Sequence, residues 1–253
     1  TEKLILNNML KVHNLTKHFG GVKAVDSCSF QIEKGKITAL IGPNGSGKTT
    51  VFNLISGIVQ ANKGEVIFNG KNLIGSSVDK ISNFGISRIF QQSRLFKNLS
   101  VKDNLLLALD NEDTKLWKNL FGFNRATDEK VATVRKILAE LNILDIENTL
   151  ASELSFGQKR LVELARAILN PHELLLLDEP VAGVNPKIRK IIGELIIKMK
   201  NEGKGVLLIE HDMVFTLGVS DYIIVMDAGG VIAEGLPQEI RKNDKVLEAY
   251  LGR

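Results

Sequence analysis

The eight residues Gly42 to Thr49, GPNGSGKT, constrain this 253-residue chain more than any other segment. Glycines at 42, 45 and 47 let the backbone wrap closely around a ligand where bulkier residues would block it. The pattern G-x-x-x-x-G-K-T works only where a strand delivers the loop and a helix leaves it. Both flanks are present: KITALIG reads as a short apolar strand, and TTVFNLISG as a helix stopped at Gly57. In such a loop the backbone N–H groups point at phosphate oxygens and the helix dipole adds positive potential. Lys48 then reaches the outer phosphates, and the Thr49 hydroxyl is offered to Mg²⁺.

The segments around this loop alternate between strand and helix signals. From Leu10 to Gly35 the pattern is of short antiparallel strands punctuated by Gly20-Gly21, and GEVIFNGKNL reads as a further hairpin. From about Gln92 to Glu153 helical signals take over; there Thr127 is a candidate cap for a helix with Val131, Val134, Ile137, Leu138 and Leu141 on its apolar face. After Ser155 a helix carries Leu161, Leu164, Ala165 and Ile168, and ELLLLD follows as a fully buried strand. Pro186 opens another helix with Ile188, Ile191, Ile192, Leu195 and Met199 inward. GVLLI and YIIVM add two strands, AGGVIAEG a closing hairpin, and Pro237 to Leu251 a tail helix. The expected architecture is α/β: a mainly parallel core sheet, an antiparallel β subdomain and an inserted α-helical subdomain.

Composition narrows the class. Hydrophobic residues make up 44% and charged residues 25%, which is ordinary for a globular chain with a buried core. The longest apolar runs, Leu174–Leu177 and Tyr222–Met226, fall far short of the roughly 18–20 residues that span a bilayer, so no transmembrane helix is expected. No signal-peptide core is legible at the start. One cysteine, Cys28, excludes an internal disulfide and a cysteine-cluster metal site, and fits a reducing compartment. The net charge of +4 comes from interspersed charges, so nucleic acid is not an expected partner.

Two further segments carry chemistry. LLLLDEP sets Asp178 and Glu179 at the exit of a buried strand, where carboxylates are costly unless a cation or a proton transfer uses them. Beside a phosphate loop, Asp178 is the candidate Mg²⁺ ligand and Glu179 the candidate general base for an attacking water. LSFGQKR, Leu154 to Arg160, places Ser155 as a helix cap with Gln158 in the first turn.

With these motifs in this order, the chain resembles the nucleotide-binding subunits of ATP-binding cassette (ABC) transporters over about Leu10 to Gly252. The resemblance implies a P-loop NTPase of ABC-ATPase fold, a single domain with core segments 1–91 and 154–253, a helical insert 92–153 and a tail at 237–253. It implies ATP and Mg²⁺ as cofactors. Nucleotide contacts fall on Gly42, Pro43, Asn44, Gly45, Ser46, Gly47, Lys48, Thr49 and Thr50, with Phe19 stacking on adenine. Gln91 matches the glutamine that contacts Mg²⁺ and links the lobes, so the metal set is Thr49, Gln91 and Asp178. His211 in LLIEHDM matches the histidine that contacts the γ-phosphate; with Glu179, Lys48 and Gln91 it completes the catalytic set.

Ser155, Gly157 and Gln158 match the family's signature, which faces the γ-phosphate held by the opposite subunit of a head-to-tail dimer, while Phe156 replaces the commonest glycine. Asn185 stands where many relatives carry Asp, and before Pro186 it also suits a helix cap. The implied partners are transmembrane permease subunits, an identical or related cassette and, indirectly, a periplasmic or extracellular solute-binding protein. The implied location is peripheral, on the cytoplasmic face of the membrane.

The permease groove is expected at Gln92 to Phe96, with the aromatic segment Thr114 to Arg125, containing Trp117, Phe121 and Phe123, as an alternative contact. AGVNP, IEHDM and the tail EIRKNDKVLEAYLG resemble the ATPases of branched-chain amino acid importers. Urea-type importers and lipopolysaccharide-export cassettes share parts of this pattern. The soluble cassette ATPase of iron–sulfur assembly uses the same engine.

Overall fold

The computed structural model describes residues 8–89, 95–109 and 128–251. β1 (Asn8–Phe19) and β2 (Val22–Glu33) form a long antiparallel hairpin that turns at Gly20-Gly21. β3 (Ile37–Ile41) leaves for a second sheet, and α1 (Lys48–Ile55) follows the glycine loop. β4 (Lys63–Phe68) pairs with the free edge of β1 and β5 (Lys71–Asn72) with β4, giving a four-stranded sheet of order β2-β1-β4-β5.

The second sheet adds β6 (Ile86–Ile89), β7 (Leu174–Asp178), β8 (Gly205–Ile209), β9 (Tyr222–Asp227) and β10 (Gly230–Gly235), in the order β10-β9-β3-β8-β7-β6. β3, β7 and β8 are buried at every residue, as expected of strands covered on both faces. β3 runs parallel to β8 and β9, and β7 parallel to β8; the β9–β10 hairpin closes the sheet antiparallel. One hydrophobic cluster joins the sheets: Leu10, Val12 and Leu15 of β1, Phe30 and Ile32 of β2, Phe52 and Ile55 of α1, and Leu174 and Leu176 of β7.

The described residues fall into two compact units: one within Thr1–Arg88, His172–Ala182 and Gly193–Arg253, the other within Ile89–Pro171 and Gly183–Ile192. The second is helical. α3 (Val101–Leu109) packs on α4 (Asp128–Glu140) and on α5 (Phe156–Leu169). Of the expected α4 face, Val134, Ile137, Leu138 and Leu141 are buried and Val131 is half-buried; the expected cap Thr127 lies outside the described residues. Asn104 on α3 is fully buried and satisfied by backbone alone. Its Oδ1 accepts from Phe96 N at 2.8 Å, and its Nδ2 donates to the carbonyls of Phe96, Leu99 and Ser100.

Three local features depart from the sequence reading. A short helix, α2 (Val78–Asn83), is capped by Ser77, and β6 is a strand that the reading did not assign. The tail, read as one helix, is two: α8 (Pro237–Ile240) and α9 (Asp244–Leu251), the second started by Asn243, whose Oδ1 accepts from Lys245 N. Among the described residues the remaining helices are α6 (Pro186–Asn201), α7 (Met213–Val219) and a 3-10 turn at Leu144–Ile146. Among the described residues no helix is long and apolar enough to cross a membrane.

Candidate active site

The glycine loop is held by backbone geometry that side chains would break. A Cβ at Gly42 would lie 2.0 Å from the Met226 carbonyl oxygen, and one at Gly47, where φ is +102°, would lie 2.3 Å from that of Ala24. α1 starts straight from Gly47 with no side-chain cap and no acidic residue in its first turn, leaving its end electropositive. Lys48 is buried and folds over the loop: Nζ donates to the carbonyls of Gly42 and Pro43, each at 2.8 Å, and to Ser46 Oγ at 3.3 Å. Burial lowers its pKa, and the nearby carboxylates of Glu179 and Asp178 oppose that shift.

A cavity of about 280 Å³ opens over this loop. Asn44, Gly45, Gly47, Lys48, Thr49 and Thr50 line one side, and Glu179, Ile209 and His211 another. Val22, Lys23 and Ala24 complete the wall. The sequence reading missed these three, because nothing in β2 hints that its start meets the loop. Phe19 is 49% exposed at the end of β1, with Lys17 Nζ 5.1 Å from its ring centroid; it is no core aromatic.

β7 and β8 bring the acidic and imidazole groups together. The last paired residues of the two strands are Asp178 and Ile209, so Glu179 and Glu210 both stand at strand exits. Glu179 takes φ of +49°, a left-handed backbone that a glutamate rarely adopts, and its N–H donates to the Ile209 carbonyl at 2.9 Å. This turns its side chain toward the cavity, where Oε1 lies 3.1 Å from His211 Nε2. Asp178 is not among the residues that line the cavity. Its carboxylate is 7% exposed and accepts from Arg88 Nη2 at 3.1 Å; Arg88 Nη1 in turn donates to Asn53 Oδ1 and Ser56 Oγ of α1.

Glu210 is 2% exposed, accepts three backbone N–H bonds and has its pKa raised by burial, which outweighs those bonds. Asp212 caps α7, its Oδ1 accepting from Phe215 N.

In the helical unit, Ser155 and Gln158 form a capping box. Ser155 Oγ accepts from Gln158 N at 3.3 Å, and Gln158 Oε1 accepts from Ser155 N at 2.9 Å. The box does not use the N–H groups of Phe156 and Gly157, which face forward at the first turn. Phe156 is 62% exposed, and its ring lies over Gly183. Asn185 Oδ1 accepts from Ile188 N at 3.0 Å, the cap expected before Pro186. Phe96 is exposed, with Arg166 over its ring. Gln91, Gln92 and the segment Thr114 to Arg125 lie outside the described residues.

A loop of donors at a helix start, facing a glutamate and a histidine across a small cavity, has the form of a P-loop nucleotide site. The family described as ABC transporter matches residues 25–182, and the chain belongs to that family as an ATP-hydrolysing transporter subunit. Residues 231–253 match the family described as branched-chain amino acid ATP-binding cassette transporter. The high-affinity branched-chain amino acid transport ATP-binding protein LivG of Salmonella typhimurium is 40% identical over 249 residues, covering 96% of this chain and 98% of LivG.

Among solved structures, an ATP-binding cassette of an ABC transporter in its ADP conformation superposes with a TM-score of 0.83 at 33% identity, covering 97% of this chain and 99% of the other. A dimeric bacterial ABC transporter cassette superposes at 0.79 with 25% identity, covering 90% and 99%. The fold is thus the ABC-ATPase fold anticipated from the motifs.

Proposed function

We propose that this chain is the ATP-hydrolysing subunit of a branched-chain amino acid importer, working beneath separate permease subunits on the cytoplasmic face of the membrane. The observation that carries the chemistry is the 3.1 Å contact between Glu179 Oε1 and His211 Nε2 at the wall of the glycine-loop cavity. The cargo reading is supported by similarity to LivG along nearly the whole chain and by the separate match of the tail.

In this reading the Gly42–Thr50 loop and Lys48 bind the phosphates of ATP, and the exposed Phe19 ring stacks on adenine. Glu179 takes a proton from water as the water oxygen bonds to the γ-phosphorus and the bond to the ADP oxygen breaks, and His211 beside it contacts the γ-phosphate. The chemistry is mainly positioning and charge stabilisation. The donors present fit Mg²⁺, a hard cation that takes oxygen ligands: the Thr49 hydroxyl at the cavity wall and the Asp178 carboxylate at the end of β7. Thr49, Asp178 through water, and Gln91 would hold the ion, which supplies charge neutralisation at the phosphates when bound.

The second half of each site would come from another cassette, identical or related. The Ser155–Gln158 cap leaves the first-turn N–H groups to the γ-phosphate of the other cassette in a head-to-tail pair, with Gly157 allowing close approach; that a similar cassette is dimeric supports the pairing. Gln92 to Phe96 is the expected permease contact, and a solute-binding protein delivers cargo on the far side. The test is a pull-down of the tagged chain from its native membranes in mild detergent, with leucine uptake measured in the same membranes. Two hydrophobic permeases and leucine uptake that stops without this chain are the expected result. Recovery of soluble partners only would favour the assembly-factor reading and discard the importer.

A further inference from the structure

Beyond the paired residues Asp178 and Ile209, β7 and β8 lose their ladder, and the chain ends leaving them must be fixed by something else. The last main-chain link is the bond from Glu179 N to Ile209 O. Past it lie the two groups whose separation matters most, the carboxylate of Glu179 and the imidazole of His211. Both sit on irregular backbone, one of them in a left-handed conformation.

The side chain of Glu210 occupies the gap between these exits. Oε1 accepts from Val181 N at 2.8 Å; Oε2 accepts from His211 N at 3.0 Å and, more weakly, from Asp212 N at 3.4 Å. One carboxylate therefore clasps the segment after Glu179 to the segment that carries His211. The clasp is expensive, since a carboxylate buried to 2% exposure beside the charge of Glu179 loses most of its hydration. Removing the group would leave three backbone donors without this acceptor, and no neutral residue offers two oxygens to both segments at once.

We propose that Glu210 is a positioning residue for ATP hydrolysis: its carboxylate fastens the His211 segment to the Val181 segment and so sets the Glu179–His211 contact. This rests on the reading of Glu179 and His211 as the hydrolytic pair. Glu210 makes no bond to the Gly42–Thr50 loop, so it acts on turnover and not on nucleotide affinity.

The experiment uses the full chain labelled with ¹⁵N. The sequence holds four histidines, His13, His18, His172 and His211, so imidazole NMR signals are few, and loss of one set in His211→Asn assigns that residue. In Glu210→Gln one oxygen is replaced by an NH₂ group that meets a backbone donor. The His211 ring signals are expected to move while the other three stay, with kcat for ATP falling at least about tenfold and KM staying within about twofold. Glu210→Asp keeps the charge but is a methylene too short to hold both segments; it is expected to move the same signals with a smaller loss of kcat, and it carries the test if the Gln variant does not fold.

Unmoved His211 signals, movement of all four sets, a raised KM with unchanged kcat, or failure of both variants to fold would each overturn the positioning role. Normal hydrolysis in His211→Asn would instead sink the underlying reading of the pair, while the NMR comparison would still judge whether Glu210 places that ring.

Discussion

Replacing Arg88 with methionine should be among the most destabilising single changes available in this chain. Arg88 is 6% exposed and Asp178 is 7% exposed, so their 3.1 Å ion pair lies outside the reach of solvent screening. The guanidinium also donates to Asn53 Oδ1 at 2.8 Å and Ser56 Oγ at 2.9 Å, and it lies over the Phe52 ring. It therefore ties β6 to α1 and to the end of β7. Arg88→Met keeps the aliphatic bulk but deprives a buried carboxylate of this cation, a change that costs about 3–5 kcal/mol. At about 2–4 °C per kcal/mol for a chain of this size, Tm should drop by about 10 °C. Differential scanning calorimetry of the full chain measures it. The internal comparison is Lys36→Ala: the Lys36–Glu33 pair is shorter, at 2.8 Å, yet 43% and 38% exposed, and should cost under about 1 kcal/mol. Arg88→Lys, which keeps the charge and loses the fork, should fall between. If Arg88→Met melted within about 2 °C of the parent, the claim that burial and not distance sets the strength of these pairs would be wrong.

Gly47→Ala should weaken ATP binding at least about tenfold while leaving the circular dichroism spectrum intact, because a Cβ 2.3 Å from the Ala24 carbonyl at a φ of +102° forces the loop off its conformation; titration with a fluorescent ATP analogue reads it. Glu179→Gln should retain nucleotide and lower turnover by at least about a hundredfold, since the amide cannot take the proton of the attacking water; near-normal phosphate release would remove Glu179 from the role of base. Burial pushes the Cys28 thiol up from 9.0 to about 12, so at pH 8 the folded chain should resist a thiol reagent that labels it promptly in urea. The sign for stability follows from proton counting. Below pH 9 both states keep the proton and Cys28 contributes nothing; above it only the unfolded thiol ionises, so stability should fall by about 1.4 kcal/mol per pH unit until the folded thiol also titrates. A melting series from pH 8 to 11 on the parent and on Cys28→Ser compares the two slopes.

What the sequence made legible follows from where residue identity is dictated by backbone. Gly42 and Gly47 must be glycines because neighbouring carbonyls fill the space of a Cβ, so the loop is readable from one dimension. Asp178 and Glu179 stood out as carboxylates ending an apolar strand. The same signal marks Glu210, a carboxylate that ends the apolar run GVLLI, but its partners Val181, His211 and Asp212 are backbone N–H groups that no residue type announces. β6 is only four residues long, ISRI, too short for alternation to declare itself, and with it went Arg88, whose partners lie 32, 35 and 90 residues away in the chain.

The residues that make the site stand at the exits of β3, β8 and β7, which are neighbours in the sheet although more than a hundred residues separate the first from the others. A motif tells what each exit carries. Only the strand order tells which exits face one another, and that order makes Glu210, at the exit of the strand beside β7, the group able to tie the segment after Glu179 to the histidine. In an open parallel sheet, chemistry gathers at the carboxyl ends of the strands because there the backbone leaves its ladder and polar groups find partners outside it. It follows that the groups most in need of explanation are the buried ones that replace the ladder, and here those are Arg88 and Glu210, one on each side of β7.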